Sequence, residues 1–324
     1  SSDLIIKIRE MTIMKLIDLH CDTIDRLLEE DKDLYENNFS VDIKKLRKSN
    51  SILQVFALYF DLNKYRLDPY KRFEDMYEKF NKEIIKNRKY IGLVTSYQDI
   101  VSNINNNKIS AILSIEEGGA INGNIDNLYK IHDKGVRLIT LTWNYENEIG
   151  YPHNNHDFRY NSLKPFGKKV VECMNELNMI IDVSHLNDGG FYDVANISKK
   201  PFVASHSNAR SITNVTRNLS DDMIKILANS GGVMGINFCS YFTGKSSITK
   251  IDDIIYHIKH IANIGGIDVI SIGSDFDGIE NAVEVYDIGE MEKLYYSLKK
   301  AGFKECEIDK MMYKNALRVI KDVL

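Results

Sequence analysis

Proline is scarce, with four residues in a chain of 324, and no Gly/Ser-rich or low-complexity tract interrupts the sequence. Without such a linker, one domain is a better expectation than two of about 150 residues each. Cysteine is equally sparse. Cys21, Cys173, Cys239 and Cys306 lie far apart with no CxxC pair, which argues against a disulfide framework and fits a reducing compartment. No apolar run reaches ten residues before a polar or charged group intervenes, so no transmembrane helix is expected. Neither sign of charge dominates: 42 Lys+Arg against 46 Asp+Glu leave a net charge of −4. That balance gives no electrostatic footprint for nucleic acid or for an anionic membrane.

The first residues, SSDLIIKIREMTIMK, carry Asp3, Lys7, Arg9 and Glu10 and lack the apolar core of a secretory signal. The stretch MMYKNALRVIKDVL reads as an amphipathic helix, not as a lipid-anchor signal. The N-x-S/T triplets at Asn214 and Asn218 are then chance matches, and a cytoplasmic location is expected. Met14 directly precedes the first strong strand, so residues 1–13 are read as an extension that need not belong to the fold and 14–324 as the domain.

What is present is a large apolar fraction, 44%, enough for a sizeable core, distributed in a strict alternation. Strands are expected at Leu16–His20, Ile52–Tyr59, Ala111–Ile115, Val136–Thr142, Ile180–Ser184, Phe202–Ser205, Val233–Asn237 and Val269–Ile272. Several are apolar on both faces, as parallel strands covered by helices are. Helical stretches fall between them at Arg72–Asn87, Ile125–Asp133, Phe166–Asn178, Asp221–Ser230 and Asp252–Ile264. Eight such units suggest a single-domain (β/α)8 TIM-type barrel, with a doubly wound open sheet as the rival.

The polar residues collect at the carboxyl ends of these strands. The first ends in Asp18-Leu19-His20-Cys21-Asp22-Thr23, where alternation turns His20 and Asp22 to one side. The third ends in Glu116-Glu117-Gly118-Gly119, the fifth in Ser184-His185 and the sixth in Ser205-His206. Each alone is an ordinary polar strand end. Together His20, Asp22, Glu117, His185 and His206 form a mixed nitrogen and oxygen set able to hold two divalent ions bridged by one carboxylate. The last strand ends in Gly273-Ser274-Asp275-Phe276-Asp277-Gly278, and either aspartate is a candidate general acid/base, unless the stretch is a plain Asx-Gly turn.

Other patterns fail. Thr243-Gly244-Lys245-Ser246 resembles the end of a P-loop, but Cys239 stands at the required upstream glycine. The chain has no HExxH, no GxGxxG after a strand and no GxSxG elbow. His257 and His260 share a helix face and are read as packed or solvated, and His132, His153 and His156 as surface residues, the last two in the loop after the fourth strand.

The ordered set DLHCDT (18–23), EGG (117–119), IDVSH (181–185), SHSNAR (205–210), RNLSDD (217–222) and GSDFDG (273–278) resembles the renal-type (membrane) dipeptidase family, a branch of the metal-dependent amidohydrolase superfamily. The resemblance runs from residue 16 to about 320. It implies a (β/α)8 barrel with a dinuclear, usually zinc, centre that hydrolyses dipeptides, including those with a C-terminal D-residue. By matching motif, His20, Asp22 and Glu117 are implied as ligands of one ion, and Glu117, His185 and His206 of the other. Asp275 matches the family's acid/base, and Arg217 the residue that grips the substrate carboxylate. A homodimer is a further family expectation.

The chain departs from the family pattern after the fourth strand. Where members often carry TLTH, it reads Thr140-Leu141-Thr142-Trp143. The missing imidazole helps polarise the scissile carbonyl, so that contact falls to Trp143, Asn144 or loop residue His153, or to the metal alone. Two alternatives stand beside dipeptide hydrolysis: hydrolysis of N-acyl amino acids or other small amides on the same metals, and a catalytically inactive, metal-stabilised binding scaffold.

Overall fold

The computed structural model describes residues 14–324 apart from Lys245; the expectation for 1–13 lies outside the described residues. The strands, in chain order, are β1 (Leu16–Asp18), β2 (Ser51–Tyr59), β3 (Ile91–Leu93), β4 (Ile109–Glu116), β5 (Val136–Thr140), β6 (Ile180–Asp182), β7 (Val203–Ala204), β8 (Val233–Ile236), β9 (Ile248–Thr249), β10 (Ile270–Ile272) and β11 (Ala282–Val283). Parallel pairing runs β2-β1-β10-β8-β7-β6-β5-β4, and β2 also pairs with β4, so the sheet closes on itself. An open doubly wound sheet is thereby excluded. The eight expected strands are the eight of the ring, as in a (β/α)8 barrel.

β3 was not anticipated. Its Ile-Gly-Leu is too short to show a period, and it pairs only with the first residues of β4, Ile91 opposite Ile109 through Leu93 opposite Ala111. From Leu113 onward the same side of β4 is taken by β5. β9 and β11 form a separate two-stranded pair.

The helices lie close to their expected places, at Pro69–Lys86, Ile125–Asp133, Pro165–Glu176, Asp221–Asn229 and Ile251–Gly265. Their starts follow from local chemistry. Asp68 accepts the Lys71 N–H ahead of Pro69, and Ser220 accepts that of Met223. Gly266 ends the Ile251–Gly265 helix at φ +83°, a conformation that side chains with a Cβ rarely adopt.

Two apolar layers hold the ring. Outside, residues such as Leu113, Ile115, Ile139 and Ile181 pack against the helices. Inside, Ile17, Leu53, Val55, Ile112, Leu138, Ile180, Val203 and Val233 form one cluster with Ala316, Val319, Ile320 and Val323 of the helix Asn315–Val323. That amphipathic helix plugs the amino-terminal mouth and leaves the carboxyl mouth for polar groups. No helix among the described residues is long and apolar enough to cross a membrane.

The ring closes between its first and last strands over a short ladder. Asp18 is opposite Ile272, and the Leu19 N–H donates to Ile272 O at 2.9 Å. Beyond the strands, Asp275 N–H donates to His20 O and Asp22 N–H to Phe276 O, at 3.2 and 3.0 Å. The buried Asp18 carboxylate fastens this seam by accepting from Ser274 N and Oγ, each at 2.8 Å, and from Gln54 Nε2 at 2.9 Å.

Candidate metal centre and catalytic site

β4 carries the centre of the site. Ile112 faces the inner cluster while Leu113 and Ile115 face the helices, so the alternation turns Glu116 into the barrel mouth. There its Oε1 lies 2.9 Å from His185 Nε2 and 3.1 Å from His206 Nε2, and its Oε2 3.2 Å from His20 Nε2. His20 Nε2 is in turn 3.5 Å from Asp22 Oδ2 and 3.8 Å from Asp275 Oδ1. All of these residues are buried, with Asp275 the most exposed at 9%.

The carboxylate among the imidazoles is therefore that of Glu116, and the expectation for Glu117 is corrected. Glu117 sits one residue past the strand at φ +130°, and its carboxylate turns aside. Its Oε1 accepts from Asn147 Nδ2 at 2.6 Å and Gly119 N at 2.7 Å, and its Oε2 from Trp143 N at 3.3 Å. These contacts pin the loop after β4 to the loop after β5. Burial lifts the Glu117 pKa to about 7 against those hydrogen bonds.

The residues fit a metal better than they fit one another. His206 Nδ1 lies 2.7 Å from Ser205 Oγ, which donates to Asp182 Oδ2 and so is left to accept the imidazole N–H. His185 Nδ1 lies 3.1 Å from Asn144 Oδ1, an acceptor. Both Nε2 atoms then present lone pairs, 3.1 Å apart and facing the same carboxylate oxygen. Burial keeps both imidazoles neutral, with the His185 pKa pushed down to about 3 and that of His206 well below its usual value. On the other side, both ring nitrogens of His20 and Oδ1 of Asp22 are buried without a hydrogen-bond partner. Converging lone pairs and orphaned ligand atoms are what a cation would satisfy. Among the described residues, His20, Glu116 and His206 form one group with metal-holding spacing, and His20, Asp22 and Asp275 another.

Without a cation, charge settles on His20 and Glu116. Burial opposes it in both, but the carboxylates of Glu116 and Asp22 hold the His20 pKa well above the ordinary value. Reciprocally, the charged His20 holds Glu116 well below its own. Burial raises Asp275 to about 6.

The two aspartates left open by the sequence separate cleanly. Asp275 joins the cluster, at φ +63°. Asp277 accepts from Thr23 Oγ1 at 2.6 Å and Ser40 N at 2.7 Å, and serves as a loop anchor. Gly278 lets the last loop approach: a Cβ there would lie 1.9 Å from Asp22 Oδ2.

The cluster opens into a cavity of about 420 Å³ whose walls include Tyr59, Trp143, Asn144, Phe242, Ile279 and Glu280. Trp143 packs edge-on to Tyr59 with ring centres 4.9 Å apart. His153 is half-buried. Its Nδ1 is 3.0 Å from Thr216 Oγ1 and its ring 5.9 Å from that of His185. Arg217 is 2% exposed, lies against the Phe242 ring, and donates to Ser207 Oγ and His206 O, each at 2.7 Å. Its Nε has no partner. His257 is fully buried and His260 pairs with Asp221 at 2.8 Å, so neither reaches the site.

The family model for membrane dipeptidases (peptidase family M19) matches residues 8–324. The chain belongs to the membrane dipeptidase family. Dipeptidase aclJ from Aspergillus oryzae is 26% identical over 309 residues, covering 90% of this chain and 73% of that protein. A Klebsiella pneumoniae protein, described as an uncharacterized protein in the pqqA 5′ region, is 34% identical over 224 residues, 66% of this chain and 82% of its own length. The chain spans about half of an uncharacterized Schizosaccharomyces pombe dipeptidase, 31% identical, with 67% of this chain and 54% of that protein matched. In structure the family fold is reproduced by a Rhodobacter sphaeroides metallopeptidase liganded with a phosphinate mimic of L-Ala-D-Ala. It has a TM-score of 0.88 at 22% identity, covering 96% of this chain and 100% of that one.

Several residues of this site escaped the sequence reading. Glu116 was legible from strand parity, since it continues the Ile112 face of β4. Asn147 and Asp182 carried no local signal, because their partners lie on other strands or in loops between them.

Proposed function

We propose that this protein hydrolyses dipeptides, using two divalent ions, zinc the first expectation. His20, Asp22 and Glu116 would hold one ion, and Glu116, His185 and His206 the other. The observation that carries the reading is the single carboxylate of Glu116 wedged among three imidazoles whose lone pairs and unpartnered nitrogens converge on it. When bound, the ions would supply Lewis-acid chemistry, able to lower the pKa of water toward ~7 and to polarise a carbonyl.

The remaining tasks fall to the chain's own residues. Asp275, with Oδ1 toward His20, would take the proton of the attacking water and pass it to the departing amine. Arg217 supplies the buried positive charge for the dipeptide's carboxylate, through its unpartnered Nε and the N–H groups not committed to Ser207 and His206. A cation at that depth selects substrates whose free carboxylate lies one residue past the scissile bond. Tyr59, Trp143 and Phe242 wall the cavity with aromatic surface. Trp143 and Asn144 line the cavity where the family's usual imidazole is absent, and the His153 ring lies 5.9 Å from that of His185. Asn144 and His153 each have one side-chain atom engaged, with His185 and Thr216.

The test is an assay of zinc-loaded protein, with and without chelator, on L,L and L,D dipeptides beside N-acyl amino acids. Chelator-sensitive cleavage of dipeptides above the N-acyl compounds supports the reading. Preference for the N-acyl compounds moves the activity to small-amide hydrolysis, and metal binding without any cleavage leaves a scaffold.

A further inference from the structure

Asp275 sits in an irregular loop at φ +63°, so neither strand nor helix geometry aims its carboxylate. One hydrogen bond among the described residues does: Asn237 Nδ2 donates to Asp275 Oδ2 at 2.8 Å. The amide cannot be turned over. Its Oδ1 accepts the Cys239 N–H at 2.6 Å, and Nδ2 also donates to His206 O at 3.3 Å. Its backbone is locked as well, because Asn237 N–H donates to Asn208 Oδ1 at 3.1 Å while Asn208 Nδ2 donates to Asn237 O at 2.9 Å. Both asparagines are fully buried. An N–H₂ group only donates, so it makes the two oxygens of Asp275 unequal. Oδ2 is tied down as an acceptor, and Oδ1 is left facing His20 and the cavity.

We infer that Asn237 is a positioning residue for the reaction, holding Asp275 so that Oδ1 alone is presented to the substrate. The inference rests on the assignment of Asp275 as the proton carrier. Asn237 touches neither substrate nor reacting atoms; its effect passes through Asp275. Two residues that act as one unit show strongly non-additive losses, which a merely structural asparagine would not.

The experiment is a double-mutant cycle on zinc-loaded protein with Asn237→Ala, Asp275→Asn and the double variant, reading kcat, KM and metal content, with residual rates followed to about 10⁻⁴ of wild type. Asn237→Ala should lower kcat by about 10- to 100-fold, change KM by less than ~3-fold and leave metal content unchanged. In the Asp275→Asn background the same substitution should cost less than ~2-fold. Asn237→Ser, which keeps a donor, should recover part of the rate and replaces Asn237→Ala if that variant does not fold. Multiplicative losses, a change confined to KM, or metal loss in step with kcat would overturn the inference while leaving the proposed reaction standing. Full activity in Asp275→Asn alone would instead remove the proton carrier itself, and the inference with it.

Discussion

In Glu116→Gln an amide replaces the carboxylate that touches three imidazoles, and a neutral amide is a poor partner for two cations. Metal content should fall toward one ion or none per chain, with activity lost. Glu117→Gln should keep its metal, because that side chain serves Asn147, Gly119 and Trp143. Metal analysis of the two variants side by side separates the neighbours, and the opposite pattern would restore Glu117 as the bridge. Trp143 packs against Tyr59, so Trp143→Phe should change kcat by less than ~3-fold. A loss of roughly 10²-fold or more would assign the indole N–H to the substrate carbonyl. His257 gives a residue-scale prediction away from the metals. Burial depresses its pKa to about 4, and neutral Nδ1 accepts the Ala209 N–H at 3.1 Å. Between pH 4 and the unfolded value near 6.5 the unfolded chain binds the extra proton. Stability is therefore complete above about 6.5 and falls on acidification, by up to ~3 kcal/mol from this group. Thermal unfolding at pH 7 and pH 5 should show a smaller acid shift for His257→Gln than for wild type; equal shifts would place the effect elsewhere.

Among the elements, the ends of the strands carry the chemistry and the loops decide its geometry. The strands were legible because each buried face writes a dense apolar run, and His20, Asp22, His185, His206 and Asp275 stood out as polar groups where those runs stop. The phase at a strand end was harder. Glu116 and Glu117 are chemically alike, and the two glycines that follow drew the assignment one residue too far, although the Ile112 face already pointed to Glu116. Asn147 had no signature, since its meaning lies in loops brought together by the ring. The loop after β10 passes close against the site. In Gly278→Ala the new methyl would stand 1.9 Å from Asp22 Oδ2 and 2.8 Å from Asp275 Oδ1. Asp22 and Asp275 must move apart, so this variant should lose at least ~10-fold in kcat and weaken metal binding while its circular dichroism stays native. A fully active Gly278→Ala would mean that the loop yields and the close packing is incidental.

For the whole molecule, the eightfold alternation was readable because a TIM-type barrel repeats one local pattern. β3 was not, because three residues paired to half a strand leave no period to detect. The loaded site should also contribute to global stability. Ions that bind the folded chain alone stabilise it by about 2.7 kcal/mol at a hundredfold excess over Kd, so chelation should lower Tm and zinc should restore it. A Tm indifferent to both would argue against a built metal centre.

The seam between β1 and β10 has a consequence in time. Some 250 residues separate His20 and Asp22 from Asp275, and these groups meet only where the last strand joins the first. Long-range closure of this kind is slow compared with helix formation. During synthesis, the acidic side of the pocket cannot exist until the residues of β10 have left the ribosome. During refolding, activity should lag behind the return of helical signal, with turnover marking the moment the ring shuts.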